Sequence, residues 1–269
     1  MGVGSAFERR AVRAEALART PTPARGPLEF AAGLYRAQQS MVGAIEAAAA
    51  DRALVGRLDQ DLDSFAGATE ILLRFAAAHA PPALSEAARG YARDDLRARL
   101  CAWWNDGGSG SDDYLARALL RPYAEILGAL DLAPGRRPAG AGSGSGSGAC
   151  ACAFCGGLPW IASRVSSGSS EGAQRFLGCA LCGKEWPAGR VRCPSCNEER
   201  PDKLASFHSE RHPTVRIETC ASCRAYVKSI DLTVDARAIP EVDDLLSLSM
   251  DLWAAEEGYA RIEPGLAGI

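Results

Sequence analysis

The residues that decide the fold are Cys152-Ala-Phe-Cys155, Cys179-Ala-Leu-Cys182, Cys193-Pro-Ser-Cys196 and Cys220-Ala-Ser-Cys223. Adding 41 to the number of each cysteine in the first two pairs gives the cysteines of the last two, so the chain contains one module twice. Each copy has the form C-x2-C-x23-C-x2-C, which supplies four thiolates from two short turns. Four thiolates suit either zinc or iron. The sequence therefore predicts two tetrahedral metal ions per chain, iron or zinc, each bound by four cysteines.

The repeat also predicts which cysteines share an ion. The first quartet is Cys152, Cys155, Cys179 and Cys182, and the second is Cys193, Cys196, Cys220 and Cys223. A competing arrangement joins the two inner pairs across a ten-residue loop and leaves the outer pairs to meet each other. Disulfide bonds are a weaker alternative, because the sequence shows no signal peptide for export from the reducing cytosol. A thiol-exchange pair is also weaker, because a thioredoxin-like motif needs one such pair rather than four in tandem. Cys150 could replace Cys152 as a ligand, since only one residue separates them.

The residue after each cysteine pair is expected to have a positive φ, so that the chain folds back beneath the sulfurs and turns backbone N–H groups toward them. Gly156 and Gly183 take this conformation without strain in the first copy. The second copy has Asn197, which tolerates it, and Arg224, which tolerates it less well. The first site is therefore predicted to be the more relaxed of the two.

Residues 1–134 are predicted to form a helical domain, because Ala, Leu, Arg and Glu dominate and strand-type alternation is rare. The clearest apolar stripe at helical spacing comprises Ala31, Leu34, Tyr35, Gln38, Met41, Val42 and Ile45. Ser111-Asp112-Asp113 is predicted to cap the last helix of this domain. We expect five or six helices packed as a bundle.

A Gly/Ser-rich stretch at residues 135–149 has the composition of a flexible linker and marks a domain boundary. After it, apolar and polar residues alternate at Val215 to Glu218, which predicts a strand, and residues 160–165 and 175–177 resemble short strands. We predict a first metal ribbon over 150–190 and a second over 191–235. Residues 236–269 are predicted to form a C-terminal helix and tail, with Asp243 and Asp244 on a solvated face. The predicted fold class is α+β, an all-α helical bundle joined to two tandem rubredoxin-like or zinc-ribbon modules and a C-terminal helix.

Composition narrows the function classes. The chain has 269 residues and a formal net charge of −3, so bulk charge does not favour nucleic acid or an anionic membrane. No apolar run approaches the roughly 20 residues of a spanning helix, and arginines interrupt any signal-like stretch after Met1. We therefore expect a cytoplasmic protein without a membrane segment. No P-loop, Gly-x-Ser-x-Gly or GxGxxG motif occurs, so no catalytic residue is predicted and the chain is not expected to be an enzyme.

The C-terminal half resembles the formate dehydrogenase accessory proteins, the FdhE family. The resemblance is carried by Cys152-Ala-Phe-Cys155-Gly156, Arg175-Phe-Leu-Gly-Cys179-Ala-Leu-Cys182, Val191-Arg192-Cys193-Pro-Ser-Cys196, Glu218-Thr-Cys220-Ala-Ser-Cys223, Asp243-Asp244-Leu245 and Glu257-Gly258-Tyr259-Ala260-Arg261. It spans roughly residues 150 to 262, and the order of the motifs is specific. The resemblance implies a rubredoxin-like metal domain in which all eight paired cysteines are ligands.

The resemblance further implies a cytoplasmic accessory or maturation factor that binds the catalytic subunit of formate dehydrogenase and is needed for its activity. On this hypothesis the ribbons present a metal-organised surface to the client, and the helical domain or the C-terminal helix supports it or forms a homodimer. The alternative is a rubredoxin-like electron-transfer protein that acts on the cofactor of the client. A nucleic-acid-binding zinc ribbon is the weakest candidate, because residues 150–230 contain 11 Lys/Arg against 7 Asp/Glu, an excess of only 4.

Overall fold

The N-terminal half is helical in the computed structural model, which describes residues 2–93, 95–106, 114–135, 150–166 and 172–269. Six α-helices occupy the described part of this half: α1 Val3–Ala18, α2 Arg25–Asp51, α3 Leu58–His79, α4 Pro82–Arg93, α5 Leu96–Asp106 and α6 Tyr114–Ala129. This agrees with the helical bundle expected from the sequence. Residues 136–149 of the linker predicted at 135–149, and the predicted cap at Ser111-Asp112-Asp113, lie outside the described residues.

The helices bury the stripes that their spacing predicts. On α2, every member of the apolar stripe is buried, including Gln38, whose Nε2 donates to the Ala118 carbonyl oxygen at 2.8 Å. The α6 helix is buried on nearly all sides from Leu115 to Leu127. A helix that is buried all round forms the centre of its bundle. The α6 helix is therefore the element against which both halves of the molecule pack.

The described residues of the C-terminal half form seven strands in one open sheet. They are β1 Pro159–Ser166, β2 Ala173–Cys179, β3 Glu185–Pro187, β4 Leu204–Ser209, β5 His212–Cys220, β6 Ala225–Asp231 and β7 Ala260–Arg261. The order is β3-β2-β1-β6-β5-β4, and β7 pairs with β6. The strands expected near residues 160–165, 175–177 and 215–218 thus correspond to β1, β2 and β5.

The sheet shows the duplication directly. The first copy contributes β3-β2-β1 and the second contributes β6-β5-β4, each as a meander of antiparallel neighbours. The copies join through β1 and β6, which run parallel from the Ile161–Lys228 pair to the Arg164–Asp231 pair. The two ribbons therefore share one sheet.

The chain after the second ribbon covers one face of the sheet. It forms α7 at Pro240–Asp243, a 3-10 turn at Asp244–Ser247 and α8 at Leu248–Glu256 before β7. The C-terminal helix expected here is present with a 3-10 turn in its middle, but the solvated face predicted for Asp243 and Asp244 was wrong. Asp244 is buried and forms an ion pair at 2.8 Å with Lys228, which is itself fully buried on β6. Cations from distant segments neutralise the carboxylates, so these carboxylates can lie inside the fold.

The helical half and the sheet share one hydrophobic core, to which both Phe7 of α1 and Trp160 of β1 belong. A buried ionic cluster adjoins that core. Arg10 and Arg121 each form ion pairs with both Glu125 and Glu241, joining α1 and α6 to α7. Within the described residues, no helix is both long and apolar enough to cross a membrane.

Candidate metal centres

The first quartet of cysteines converges on a single point. Cys152 Sγ lies 3.6 Å from Cys182 Sγ, and Cys155 Sγ lies 3.4 Å from Cys179 Sγ. All four sulfur atoms lie within 4.8 Å of one another. Sulfurs bound tetrahedrally at about 2.3 Å from a zinc ion would stand roughly 3.8 Å apart. The spacing therefore fits four thiolates around one ion.

The second quartet repeats this geometry. Cys193 Sγ lies 3.7 Å from Cys223 Sγ, and Cys196 Sγ lies 3.7 Å from Cys220 Sγ. These four sulfur atoms are also within 4.8 Å of one another. All eight cysteines are free thiols, at separations far beyond the roughly 2.05 Å of a disulfide bond. The structure thus groups the cysteines as the 41-residue repeat predicts, and either group could hold a tetrahedral metal ion; their role as ligands remains a prediction.

Backbone turns beneath the sulfurs bring each pair together. In the first copy Gly156 N donates to the Cys152 carbonyl oxygen at 2.8 Å, and in the second Asn197 N donates to that of Cys193 at 3.0 Å. In addition, Leu181 N donates to Cys179 Sγ in the first copy and Ser195 N donates to Cys193 Sγ in the second, both at 3.4 Å. Such N–H groups partly neutralise thiolate charge, so the turns favour the form of cysteine that binds metal.

The predicted positive φ angles are confirmed at all four positions after the cysteine pairs. The values are 68° at Gly156, 66° at Gly183, 62° at Asn197 and 59° at Arg224. Arg224 is held in this conformation by its side chain, whose Nε donates to the Gly258 carbonyl oxygen at 3.2 Å and whose guanidinium lies 3.9 Å from the centre of the Tyr259 ring. Contacts with the C-terminal segment thus support Arg224 in this conformation, and the greater relaxation of the first site stays a prediction.

The two quartets differ in their surroundings. All four cysteines of the first are buried, and its second turn packs against the helical half. At Gly183, where φ is 66°, an added Cβ atom would lie 2.9 Å from Glu125 Oε1 and 3.2 Å from Arg10 Nη2, so any other residue would have to displace these paired side chains. In the second quartet, Cys196 is exposed and Cys223 is half-buried. The first centre is therefore a buried part of the joint between helices and sheet, whereas the second reaches solvent.

Burial also raises the pKa of the Cys179 and Cys193 thiols above the usual value when no ion is bound. Each thiol must lose its proton to bind a metal ion. Protons and metal ions therefore compete at both centres, and the metal affinity should fall as the pH falls.

Two neighbours of the cysteines were missed from the sequence. An added Cβ at Gly157 would lie 2.9 Å from Cys179 Sγ, so this glycine lets the two turns of the first centre approach. Its counterpart 41 residues later is Glu198, which accepts a hydrogen bond from Ser222 Oγ at 2.6 Å and so ties together the two turns of the second centre. Hydrogen bonds from Arg200 and Ser222 lower the pKa of Glu198 to about 2. The Gly-Gly sequence after Cys155 was the available signal for Gly157.

Cys150 lies apart from the first quartet. Its thiol is 3.4 Å from Asn197 Oδ1 and 4.0 Å from the Cys193 carbonyl oxygen, which places it against a turn of the second centre. The suggestion that it replaces Cys152 is therefore wrong in its geometry. Cys150 is close to Cys152 in sequence, but the shared sheet brings the two ribbons side by side, and the Cys150 side chain lies against the second ribbon.

Comparison with known proteins adds the family. Residues 191–266 match the model of the family described as FdhE, C-terminal domain. The Protein FdhE homolog of Aquifex aeolicus is 37% identical over 114 residues, which are 42% of this chain and 40% of that protein. The Protein FdhE homolog of Pseudomonas aeruginosa is 33% identical over 195 residues, which are 69% of this chain and 62% of that protein. The matched part of the chain thus spans less than two thirds of the length of either relative.

The fold agrees with these sequence matches. The crystal structure of the FdhE protein from Pseudomonas aeruginosa superposes with a TM-score of 0.65 over 98% of this chain and 96% of that one, at 24% identity. The similarity therefore extends across both the helical half and the sheet. From the matched C-terminal domain and the two relatives, we conclude that the chain belongs to the FdhE family.

Proposed function

We propose that this chain is an accessory factor that binds the catalytic subunit of a formate dehydrogenase during maturation in the cytoplasm, acting by binding rather than by catalysis. The observation that carries the proposal is the pair of four-cysteine groups fixed within one sheet of an FdhE-family protein. Metal bound at both groups would hold the turns rigid and so fix the shape of the surface around them. Eight residues are proposed as the ligands: Cys152, Cys155, Cys179, Cys182, Cys193, Cys196, Cys220 and Cys223.

The surroundings of the quartets suggest how the metal contributes. The first centre is buried at the joint between the halves, where an ion would serve the fold itself. The second centre reaches solvent through Cys196 and lies near the surface available to a partner. We further propose that the stretch 135–149 separates a helical domain at 1–134 from the ribbons at 150–190 and 191–235 and the C-terminal segment at 236–269.

Co-purification tests the proposal. The wild-type chain carrying an affinity tag should retain the catalytic subunit, and Cys193→Ala should retain less of it, because the second centre would lose a ligand. Cys101→Ala is the matched control, since Cys101 lies on α5 outside both quartets and its loss should leave retention unchanged. Deletion of the gene should abolish formate dehydrogenase activity, and undiminished activity in the deletion strain would refute the proposal. Gel filtration of the purified chain would test the expectation that the protein forms a homodimer.

Electron transfer to the client is a second candidate, favoured specifically by the exposure of Cys196 at the second centre. An iron ion there could exchange electrons with a docked partner, whereas zinc has no accessible second oxidation state. Metal analysis and visible absorption of anaerobically purified protein discriminate the two metals. Colourless protein with two zinc ions per chain would remove this candidate.

A further inference from the structure

The face of the sheet opposite α7 and α8 contains a groove of about 230 Å³ beside the second metal centre. Lys228 of β6 points toward the C-terminal segment, where it contacts Asp244 and Asp251. Its neighbours along the strand therefore point to the opposite face. Arg216 is paired with Ser229 across β5 and β6, so it belongs to that opposite face. The groove is thus built on the side that the C-terminal segment leaves uncovered.

The charges that line this groove are mostly positive. Among the described residues its lining has one acidic side chain, Glu218, and five arginines: Arg164, Arg175, Arg190, Arg192 and Arg216. Counting these side chains gives a charge of +4. Four thiolates around a divalent ion would give the adjacent second centre a charge of about −2. Two acidic residues outside the lining, Asp231 and Glu199, pair with Arg164 and Arg192, so the groove's capacity for an anion depends on which arginines have donors left over.

The arginines that line the groove differ in the acidic partners and hydrogen-bond acceptors that they already have. Arg175 is buried and forms an ion pair with Glu218 at 2.7 Å, and its Nη1 donates to the Gly189 carbonyl oxygen at 3.0 Å. Arg164 Nε lies 3.8 Å from Asp231 Oδ2, which is a loose pair, and this buried atom has no hydrogen-bond acceptor. Arg216 is half-buried and has no acidic partner within the described part of the chain. Arg216 therefore has donors available for an incoming anion, and Arg164 can supply others from the exposed part of its side chain, which is 31% accessible although its Nε is buried.

The rest of the lining indicates which anion would fit. Its apolar members include Val191, Pro194, Leu204 and Ile262, which are aliphatic or cyclic and offer no flat ring for a base. Tyr226 also lines the groove, but its hydroxyl donates to Asp251 on the opposite side of the sheet. Single-stranded nucleic acid is held by stacking on aromatic rings, whereas alternating carboxylates and aliphatic side chains would match arginines set among apolar residues.

We propose, building on the function proposed above, that this groove binds a carboxylate-rich peptide segment of the client subunit. Arg164 and Arg216 receive the carboxylates, and the aliphatic lining receives the side chains between them. Arg175 is already paired and holds the shape of the groove. The recognised feature is thus an acidic stretch interspersed with apolar residues.

Fluorescence anisotropy on the metal-loaded full chain tests the groove. The probe is a short fluorescein-labelled peptide in which glutamate alternates with leucine, and its control carries glutamine in place of every glutamate. We expect the acidic probe alone to bind, with an affinity that falls as salt is added. Arg216→Glu should weaken binding about tenfold or more, because a charge of the opposite sign would face the probe. Arg211→Glu makes the same change of charge at an exposed turn outside the lining and should leave binding unchanged.

Several results would overturn the inference: equal binding of both peptides, no binding of either, an unaffected Arg216→Glu variant, or tighter binding of ATP or of a single-stranded oligonucleotide. Metal content and circular dichroism of Arg216→Glu should match the wild type, since the residue has no acidic partner to leave unpaired within the described part of the chain. If Arg216→Glu is misfolded, Arg216→Gln with the same probes replaces it.

Complementation separates failure of the groove from failure of the proposed function. In a strain lacking the gene, the wild-type chain should restore formate dehydrogenase activity and Arg216→Glu should restore less. Full restoration by both the wild type and Arg216→Glu would refute the role of the groove in binding the client and would leave the proposed accessory role intact. No restoration by the wild type would refute the accessory role, whatever the peptides show.

Discussion

Arg121 Nε donates a hydrogen bond to Glu125 Oε1 at 2.8 Å, one turn further along α6, and both side chains are buried. The same guanidinium also pairs with Glu241 of α7, so it joins the central helix to the segment that follows both ribbons. Trp160 of β1 lies beneath it, with 4.9 Å between the Arg121 Cζ atom and a ring centroid. One arginine thus contacts all three parts of the fold.

Replacing Arg121 with methionine should destabilise the protein strongly. The change leaves Glu125 and Glu241 buried with only Arg10 to neutralise them, and removing one partner of a buried ion pair costs about 3–5 kcal/mol. Urea unfolding at neutral pH measures the loss of unfolding free energy. Arg237→Met is the control, because the Arg237 side chain is 86% exposed and its pair with Asp235 should contribute little. Equal stabilities of the two variants would contradict the role assigned to Arg121.

Acid should weaken the same joint. Burial opposes the charge of Glu241, but Arg10 and Arg121 more than offset that cost and lower the pKa of this carboxyl group below its usual value. A carboxyl whose pKa is lower in the folded state binds protons more readily when unfolded. Its stabilising contribution is therefore present above the unfolded pKa of about 4.3 and is lost as the pH falls through the folded value. Asp244 is lowered in the same direction, with Arg261 and Lys228 offsetting its burial.

Urea unfolding at a series of pH values from neutral to about 3 should show this decline. The Glu241→Gln variant should be less stable than the wild type at neutral pH and should lose less stability on acidification, because it has no carboxyl group to protonate at this position. Parallel declines in the two proteins would mean that Glu241 does not contribute to the acid sensitivity.

Gly183→Ala tests the contact between the first metal centre and the helices. The substitution forces alanine into a φ of 66° and brings its Cβ to 2.9 Å from Glu125 Oε1, so we expect a loss of about 1–3 kcal/mol in unfolding free energy. Gly67→Ala is a matched control, because nothing lies within 4 Å of the added atom on the exposed side of α3. That control should be neutral or slightly stabilising, since alanine favours helix by up to about 1 kcal/mol. Thermal unfolding of both variants makes the comparison, and a Gly183→Ala protein as stable as Gly67→Ala would contradict the close fit.

Chelation should remove the two ions at different rates. Cys196 is exposed whereas all cysteines of the first quartet are buried, so a chelator should reach the second centre first. Metal analysis during incubation with excess EDTA should show one ion lost quickly and the other slowly. In Cys196→Ser the fast phase should be absent and the slow phase kept, and in Cys155→Ser the reverse is expected. A single rate for both ions would contradict the difference in exposure.

The sequence predicted the parts of this protein whose signals are local. The grouping of the cysteines followed from the repeat, and the positive φ at Asn197 and Arg224 followed from their place after a cysteine pair. The helices and the strands at Val215 and Arg175 followed from periodicity. Each of these depends on residues within a few positions of one another, or on an internal copy, which is why one sequence was enough.

The features that the sequence did not predict depend on partners far along the chain. Asp244 was interpreted as a solvated residue because nothing nearby in sequence neutralises it, yet Lys228 and Arg261 surround it in the fold. The parallel join between β1 and β6 has no local signal, since the paired residues, such as Ile161 and Lys228, lie 67 positions apart in the sequence. The contact of Cys150 with Asn197, a residue of the second copy, likewise has no local signal in the sequence.

The parallel join also bears on the history of the duplication. In a hypothetical ancestor with one ribbon, the strand corresponding to β1 would have had one side without a strand partner, and such an edge can pair with other chains and cause aggregation. In the present protein β6 of the second copy protects that side of β1. Deleting the second copy would expose this edge of β1 again, and deleting the first would expose the matching edge of β6, so the loss of either copy would carry a risk of aggregation.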